Sequence, residues 1–366
     1  MTYTPPVYSS PDFQTSQFSD APITVFRKVV TGGVAPDNYH ATSIYPEYFQ
    51  IHKGEWHLLK ESRMDCVVVN RGNDNLAVIE FRHLKVGDMV ACGRTEDGSN
   101  GIFVHASGFA FQAGNLSKFA FRTNLSRESS FSIDYDNLYE LLEYEKKYGY
   151  IVWVLGPALV FDKDARKAFV SLVKNGYVHT LFAGNAMAVH DIEGAFFETA
   201  LGQNIYTKHA SESGHYNHLD TITKIRAEGS IRNAVDKNLI KDGIMKAIVK
   251  NSIPYVLAGS IRDDGPLPDV IDDVYKAQDK MRSFTKKATT VIAMATQLHG
   301  IATGNMLPSY RVIGKNQIRP VYFYSVDMSE FAINKLADRG SLSAKSFLTN
   351  VQDFVVTVER GLKNRI

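Results

Sequence analysis

The chain has 366 residues, with 41 Lys and Arg against 39 Asp and Glu, a formal net charge of +2. At 44% hydrophobic and 22% charged residues it can bury a full core, and so balanced a charge creates no field for a polyanion, which excludes disorder and nucleic-acid binding. The longest apolar run, residues 151–161, is broken by Gly156-Pro157 and falls short of the roughly 20 residues that a membrane helix needs, so the chain is expected to stay off the membrane.

In chain order, residues 1–21 carry Pro5, Pro6, Ser9, Ser10 and Pro11 without Lys or Arg, and read as a flexible arm rather than a secretory signal. Residues 22–128 read as a β-rich domain. Short strands are expected over 64–70, 75–81, 88–92 and 102–106, separated by turn residues such as Gly72-Asn73-Asp74 and Asp97-Gly98. The two cysteines, Cys66 and Cys92, lie in valine-rich stretches, where core positions in a reducing, cytoplasmic compartment are the expectation.

From residue 129 to 366 the pattern becomes alternating strand and helix. Helices are expected over 136–147, 164–175, from about 188, around 219–236, over 241–250 and 269–283, and after Met328 and Asn350. Strands are expected over 150–155, 177–182, 254–258, 290–295 and 321–326. Such alternation implies an α/β domain with a parallel sheet, whose ligands bind at the carboxyl ends of the strands.

Those ends are expected to run into four small-residue turns: Gly156-Pro157-Ala158, Ala183-Gly184-Asn185-Ala186, Gly259-Ser260 and Gly304-Asn305-Met306. Glycines there let backbone N–H groups approach a pyrophosphate, although ordinary strand-to-helix turns use glycine too. No G-x-G-x-x-G fingerprint occurs, so a nicotinamide cofactor is expected on an arrangement other than the standard Rossmann unit. Asp327 either meets a ribose diol or caps the next helix. Asp191 and Glu193 sit near a helix start, where acidic side chains are favourable for structural reasons alone. Arg262 beside Asp263 and Asp264, in a loop held by Gly265-Pro266 and Pro268, offers a fork for a carboxylate and acceptors for an ammonium. A surface ion pair is the plainer alternative. His218, with His209 and His215 nearby, suits proton transfer; a metal site is not expected, because both cysteines lie far upstream.

The run 184–193, Gly-Asn-Ala-Met-Ala-Val-His-Asp-Ile-Glu, the run 256–269, Val-Leu-Ala-Gly-Ser-Ile-Arg-Asp-Asp-Gly-Pro-Leu-Pro-Asp, Gly304-Asn305-Met306 and Asp338-Arg339-Gly340-Ser341 resemble those of the NAD-dependent ornithine cyclodeaminases of the LOR/SDH type. These are the archaeal and cyanobacterial enzymes, distinct from the μ-crystallin-like ones. Ala35-Pro36-Asp37-Asn38-Tyr39 and Met64-Asp65-Cys66 resemble that family's β-rich domain, and the likeness covers roughly residues 30–362.

The resemblance implies an NAD domain similar to the deoxyhypusine synthase fold, a homo-oligomer (dimer or tetramer), and conversion of L-ornithine to L-proline and ammonia. The implied route is removal of a hydride from Cα, attack of the terminal amine on the α-imine, loss of ammonia and return of the hydride. By this reading NAD lies on Gly156, Pro157, Gly184, Asn185, Ala186, Gly304, Asn305, Asp327 and Asn350. Arg262 holds the substrate carboxylate, Asp263 the terminal ammonium, Asp264 or Asp191 relays protons, and His218 assists. Too few residues precede Ala35 for the arginine-dihydrolase domain of some cyanobacterial relatives, so that activity is not expected. The stretch 307–320 is longer than expected in those relatives and leaves the substrate open. A cyclodeaminase or dehydrogenase acting on lysine or 2,4-diaminobutyrate, and a non-enzymatic NAD-binding protein, are the alternatives.

Overall fold

A computed structural model describes residues 3–109, 132–263, 265–313, 317–329 and 342–365. The amino-terminal part holds two antiparallel sheets. One has strand order β1-β6-β4-β5, with β1 Val25–Lys28, β4 Val67–Asn70, β5 Leu76–Ile79 and β6 Met89–Cys92. The other has order β3-β2-β7, with β2 Glu47–His52, β3 Glu55–Leu58 and β7 Ile102–Val104. Alternation along β4 explains its unbroken valines: Val68 packs with Phe49 and Ile102, whereas Val67 and Val69 pack with Val29 and Leu84. Cys66 and Cys92 are free and buried, and burial pushes the Cys66 thiol up to about 11, so it is a core side chain and no nucleophile.

The segment before β1 is not the loose arm expected. Its aromatic side chains dock on the β-rich domain: Phe13 stacks on Trp56, Phe18 is buried in a helical turn (α1, Ser16–Ser19), and Tyr8 hydrogen-bonds Tyr48 and His105 at 3.0 and 2.8 Å. The expected boundary at 128/129 lies outside the described residues.

The carboxyl-terminal part is built on a seven-stranded parallel sheet of order β13-β12-β9-β8-β14-β17-β18. Its strands are β8 Ile151–Leu155, β9 Thr180–Gly184, β12 Tyr255–Ala258, β13 Val270–Ile271, β14 Thr290–Met294, β17 Tyr322–Asp327 and β18 Ser343–Leu348. All five residues of β8 are fully buried, as a central strand covered on both faces requires. Helices α2 Ser132–Tyr148, α3 Lys163–Lys174, α4 Asn185–Phe197, α5 Asn217–Glu228, α6 Ile231–Asp236, α7 Ile244–Lys250 and α10 Val351–Lys363 bury one face. Helices α8 Val274–Thr285 and α9 Gln297–Met306 cover the other. Leu138, Leu141 and Leu142 form the apolar stripe of α2, each contributing about 1.5–3 kcal/mol by burial.

Without the two-residue edge strand β13, the sheet order is that of a standard Rossmann domain, 3-2-1-4-5-6, with its reversal between β8 and β14. This corrects the expectation of a different arrangement. What differs is local: β8 leads into a 3₁₀ turn at Pro157–Phe161 instead of a glycine fingerprint. Strands β1, β2, β3, β13 and β18 carry too few apolar residues, or too little alternation, to stand out in the sequence.

The stretch 307–320 contains an antiparallel pair, β15 Tyr310–Ile313 with β16 Gln317–Pro320, and its described residues contact the amino-terminal part. The Tyr310 hydroxyl donates to the Leu59 carbonyl at 3.0 Å, Ser309 N to the Ser62 carbonyl at 2.9 Å, and the Ser309 hydroxyl to the Ile44 carbonyl. A second joint is ionic: Glu80 bridges Arg63 and Arg282, and Asp279 accepts from Arg82 at 2.6 Å.

Candidate active site

At the reversal, the carboxyl ends of β8 and β14 are pressed together. Gly156 N donates to the Met294 carbonyl at 2.8 Å, and Ala295 takes the left-handed φ of 48° that alanine rarely adopts. This crevice is where doubly wound sheets bind ligands.

Helix capping marks the same edge. Asp162, Asp273 and Asn350 cap α3, α8 and α10 by accepting from the first backbone N–H groups. Helices α4 and α9 start at the carboxyl ends of β9 and β14 behind Gly184 and Thr296, and neither residue supplies a side-chain cap. Their first N–H groups are therefore available to an anion. Gly184 has no side chain because His299 covers it: a Cβ there would stand 2.8 Å from the ring Cε1. The uncapped helices, the glycine cradle and a buried His299 Nε2 without a hydrogen-bond partner together fit a dinucleotide lying across the reversal.

His299 is a site residue that the strand-end pattern does not reveal, because it lies in the first turn of α9 rather than in the strand-to-helix turn itself. Thr296 Oγ1 stands 3.3 Å from Nδ1. Burial lowers the ring's pKa below its ordinary value, against the pull of the Ala258 carbonyl and the Asp263 carboxylate. The ring lines a cavity of about 250 Å³ together with Ala258, Gly259, Tyr275, Gln278 and Met281.

Asp263 and Arg262 occupy the loop between β12 and β13. Asp263 closes a tight turn, accepting from Ser260 N at 2.9 Å and donating its own N–H to the Ser260 carbonyl at 3.0 Å, while Arg262 is exposed. The far end of the loop is anchored. Asp269 accepts from Tyr255 OH at 2.6 Å and Ile231 N at 2.8 Å, and Leu267 N donates to Asn185 Oδ1 at 3.0 Å. Asn185 thus ties the loop to the start of α4. Asp264, expected as a proton relay, lies outside the described residues, as does the run 338–341.

Asp191 does not join this site. It is fully buried in α4, accepts from Arg166 Nε at 2.7 Å, and caps α7 by accepting from Ile244 N at 3.0 Å and Met245 N at 2.7 Å. A carboxylate so engaged and sealed from solvent cannot shuttle substrate protons, which corrects the relay expectation. Nor do Gly304 and Asn305 form a strand-end turn: they close α9, Gly304 lying roughly 10 Å along the helix from its start at 1.5 Å per residue. Asn305 is exposed, and its carbonyl accepts from Arg63.

Asn350 caps α10 by accepting from Gln352 N at 2.8 Å, and Asp327 accepts from Ser329 N at 2.9 Å. Both stand at the carboxyl edge with one oxygen spent locally. Pro157 and Ala186 occupy the first turns after β8 and β9. His218 is half-buried in the first turn of α5, its ring centroid 6.3 Å from that of His190. His190 in turn hydrogen-bonds Glu193 at 2.8 Å, and Glu193 accepts from Thr199, Leu201 N and Gly202 N. Among the described residues no group of three His, Cys, Asp or Glu is placed to hold a metal, and no helix is long and apolar enough to cross a membrane. A larger cavity of about 520 Å³ beside α3, lined by Lys163, Lys167 and Tyr206, includes no residue from the strand ends of the seven-stranded sheet.

Residues 138–358 match the family described as arginine dihydrolase ArgZ-like, C-terminal, Rossmann fold. The ornithine cyclodeaminase of Methanopyrus kandleri is 38% identical over 333 residues, covering 90% of this chain and 76% of its own length. The bifunctional arginine dihydrolase/ornithine cyclodeaminase ArgZ of Synechocystis is 35% identical over 92% of this chain and 46% of its own. Among solved structures, a conserved LOR/SDH protein from Methanococcus maripaludis has a TM-score of 0.81 at 33% identity, covering 95% of this chain and 98% of that one. The ternary complex of AgrE with ornithine and NAD+ has a TM-score of 0.59 at 30% identity, covering 94% of this chain and 46% of that one.

Proposed function

The chain belongs to the ornithine cyclodeaminase family whose carboxyl-terminal domain is ArgZ-like, and we propose that it converts L-ornithine to L-proline and ammonia with NAD as bound cofactor. The observation that carries this reading is the meeting, at one sheet edge, of two uncapped helix starts with the loop bearing Arg262 and Asp263. NAD, when bound, supplies a hydride acceptor that later serves as donor, so no net oxidation results. The backbone around Gly156, Pro157, Gly184, Asn185 and Ala186 holds its pyrophosphate, and Asp327 its ribose.

Arg262 takes the substrate α-carboxylate in its fork and Asp263 the terminal ammonium. Asp264, next in sequence, carries the proton between the two nitrogens, with His218 assisting; the burial of Asp191 removes it from that choice. Free, buried cysteines suit a cytoplasmic setting, and we assign the working form to a homo-oligomer. The test is to incubate the purified protein with NAD and a panel of diamino acids and identify products by mass. Proline and ammonia from ornithine, without accumulating NADH, are expected. NADH formed in proportion to product would instead indicate a dehydrogenase, and turnover of lysine or 2,4-diaminobutyrate alone would reassign the substrate.

A further inference from the structure

We propose that His299 is the group that accepts the α-ammonium proton of the bound amino acid, a role that rests on the cyclodeaminase reading above. Four observations converge on it. The ring lies between the carboxyl ends of β9 and β12, close enough to Gly184 that any larger residue at 184 would collide with it. Its Nε2 is buried without a hydrogen-bond partner. Its Nδ1 stands 3.3 Å from Thr296 Oγ1, and in the tautomer that carries its hydrogen on Nδ1 the hydroxyl accepts that hydrogen and Nε2 is the acceptor. Finally, the ring lines the 250 Å³ cavity that opens beside Gly259, at the root of the Arg262–Asp263 loop.

The chemistry calls for such a group. An α-ammonium holds its nitrogen lone pair in an N–H bond, and the lone pair must be free before hydride can leave Cα. In the step assigned to His299, that N–H bond breaks, an Nε2–H bond forms, and the substrate retains a neutral amine. A ring kept neutral by burial is ready to accept, and the Ala258 carbonyl and Asp263 carboxylate stabilise the charge it gains. Asp263 is the charged group that acts on the ring among the described residues, and Tyr275 is the other titratable side chain lining its cavity. The site thereby divides its proton work: His299 takes the first proton, and the acidic loop moves protons between nitrogens afterwards.

His299→Gln keeps the size and hydrogen bonding of the ring and abolishes its titration. In this variant kcat for ammonia release from ornithine is expected to fall about 10²-fold or more. NAD and ornithine affinities measured by calorimetry should stay within about threefold, and the acidic limb of the kcat/KM profile should disappear. Wild-type kcat with an unchanged acidic limb in His299→Gln would overturn the proposal. A second readout does not depend on turnover. NMR of the wild-type protein labelled at histidine should show the His299 ring neutral at pH 7, and a charged ring there sinks the proposal whatever the substrate is. Absence of ammonia release by the wild type, with a neutral His299, would count against the ornithine reading alone.

Discussion

Gly156 lies against the carbonyl of Ala295, so that a Cβ at position 156 would overlap that oxygen outright. The two residues directly follow β8 and β14, the strands that flank the reversal of the sheet, and Ala295 holds a left-handed backbone there. Gly156→Ala should therefore cost about 1–3 kcal/mol or more in overpacking, because the obstacle is backbone and cannot rotate away. Gly259→Ala, whose added Cβ would stand 3.0 Å from the Ile271 carbonyl, should cost less. Thermal unfolding of both variants against wild type measures the order, and equal midpoints for all three would refute it.

Asp191 offers a way to separate architecture from chemistry. Asp191→Asn removes the charge opposite a buried Arg166, which keeps only Asp242 at 2.8 Å as a carboxylate partner. A loss of about 3 kcal/mol in urea unfolding is expected, as for other broken buried pairs. Below its own melting transition, the variant should turn over with nearly wild-type kcat. Normal stability combined with lost turnover would return Asp191 to the catalytic apparatus.

Acid stability should depend on Glu193. Burial pushes this carboxyl up, but hydrogen bonds from His190, Thr199 and Gly202 N outweigh it and leave the pKa below the ordinary 4.5. A carboxyl depressed in the folded state contributes stability that is complete above its unfolded pKa and is lost as pH falls from about 4.5 through its folded value. Glu193→Gln should start less stable at neutral pH and show a flatter decline in that window. Parallel curves of unfolding free energy against pH for the two proteins would contradict this.

The exposed Arg262 predicts the opposite profile from Asp191. Arg262→Ala should leave the melting temperature within about 1 °C, since the side chain is exposed on its loop. Losing a fork to a carboxylate is worth about 1.5–3 kcal/mol, so KM for the amino acid should rise roughly 10- to 100-fold while NAD affinity holds. Steady-state kinetics with NAD saturating reads this directly. An unchanged KM would reduce Arg262 to a surface charge.

Repeating strand-and-helix punctuation makes the parallel sheet legible along the chain, because buried strands such as β8 must be uninterrupted apolar runs and their turns need small residues. The turns after β8, β9 and β12 are legible for the same reason. Gly304-Asn305 misleads, since a glycine near a helix end and a glycine at a strand end look alike in one dimension. Residues 3–21 mislead too: prolines and serines suggest an arm, while the energy lies in Phe13 and Phe18 meeting Trp56.

By itself the sequence determined the α/β class, the β-rich character of the amino-terminal part, the family and the loop bearing Arg262 and Asp263, because periodicity and local motifs are written in consecutive residues. Tertiary structure alone decided the Rossmann strand order, the withdrawal of Asp191 into a buried pair with Arg166, and the approach of His299 to Gly184 from more than a hundred positions away. Strand order, ion pairing and ring contact are relations between distant segments. They arise only when the sheet assembles and fixes which side chains share low-dielectric space.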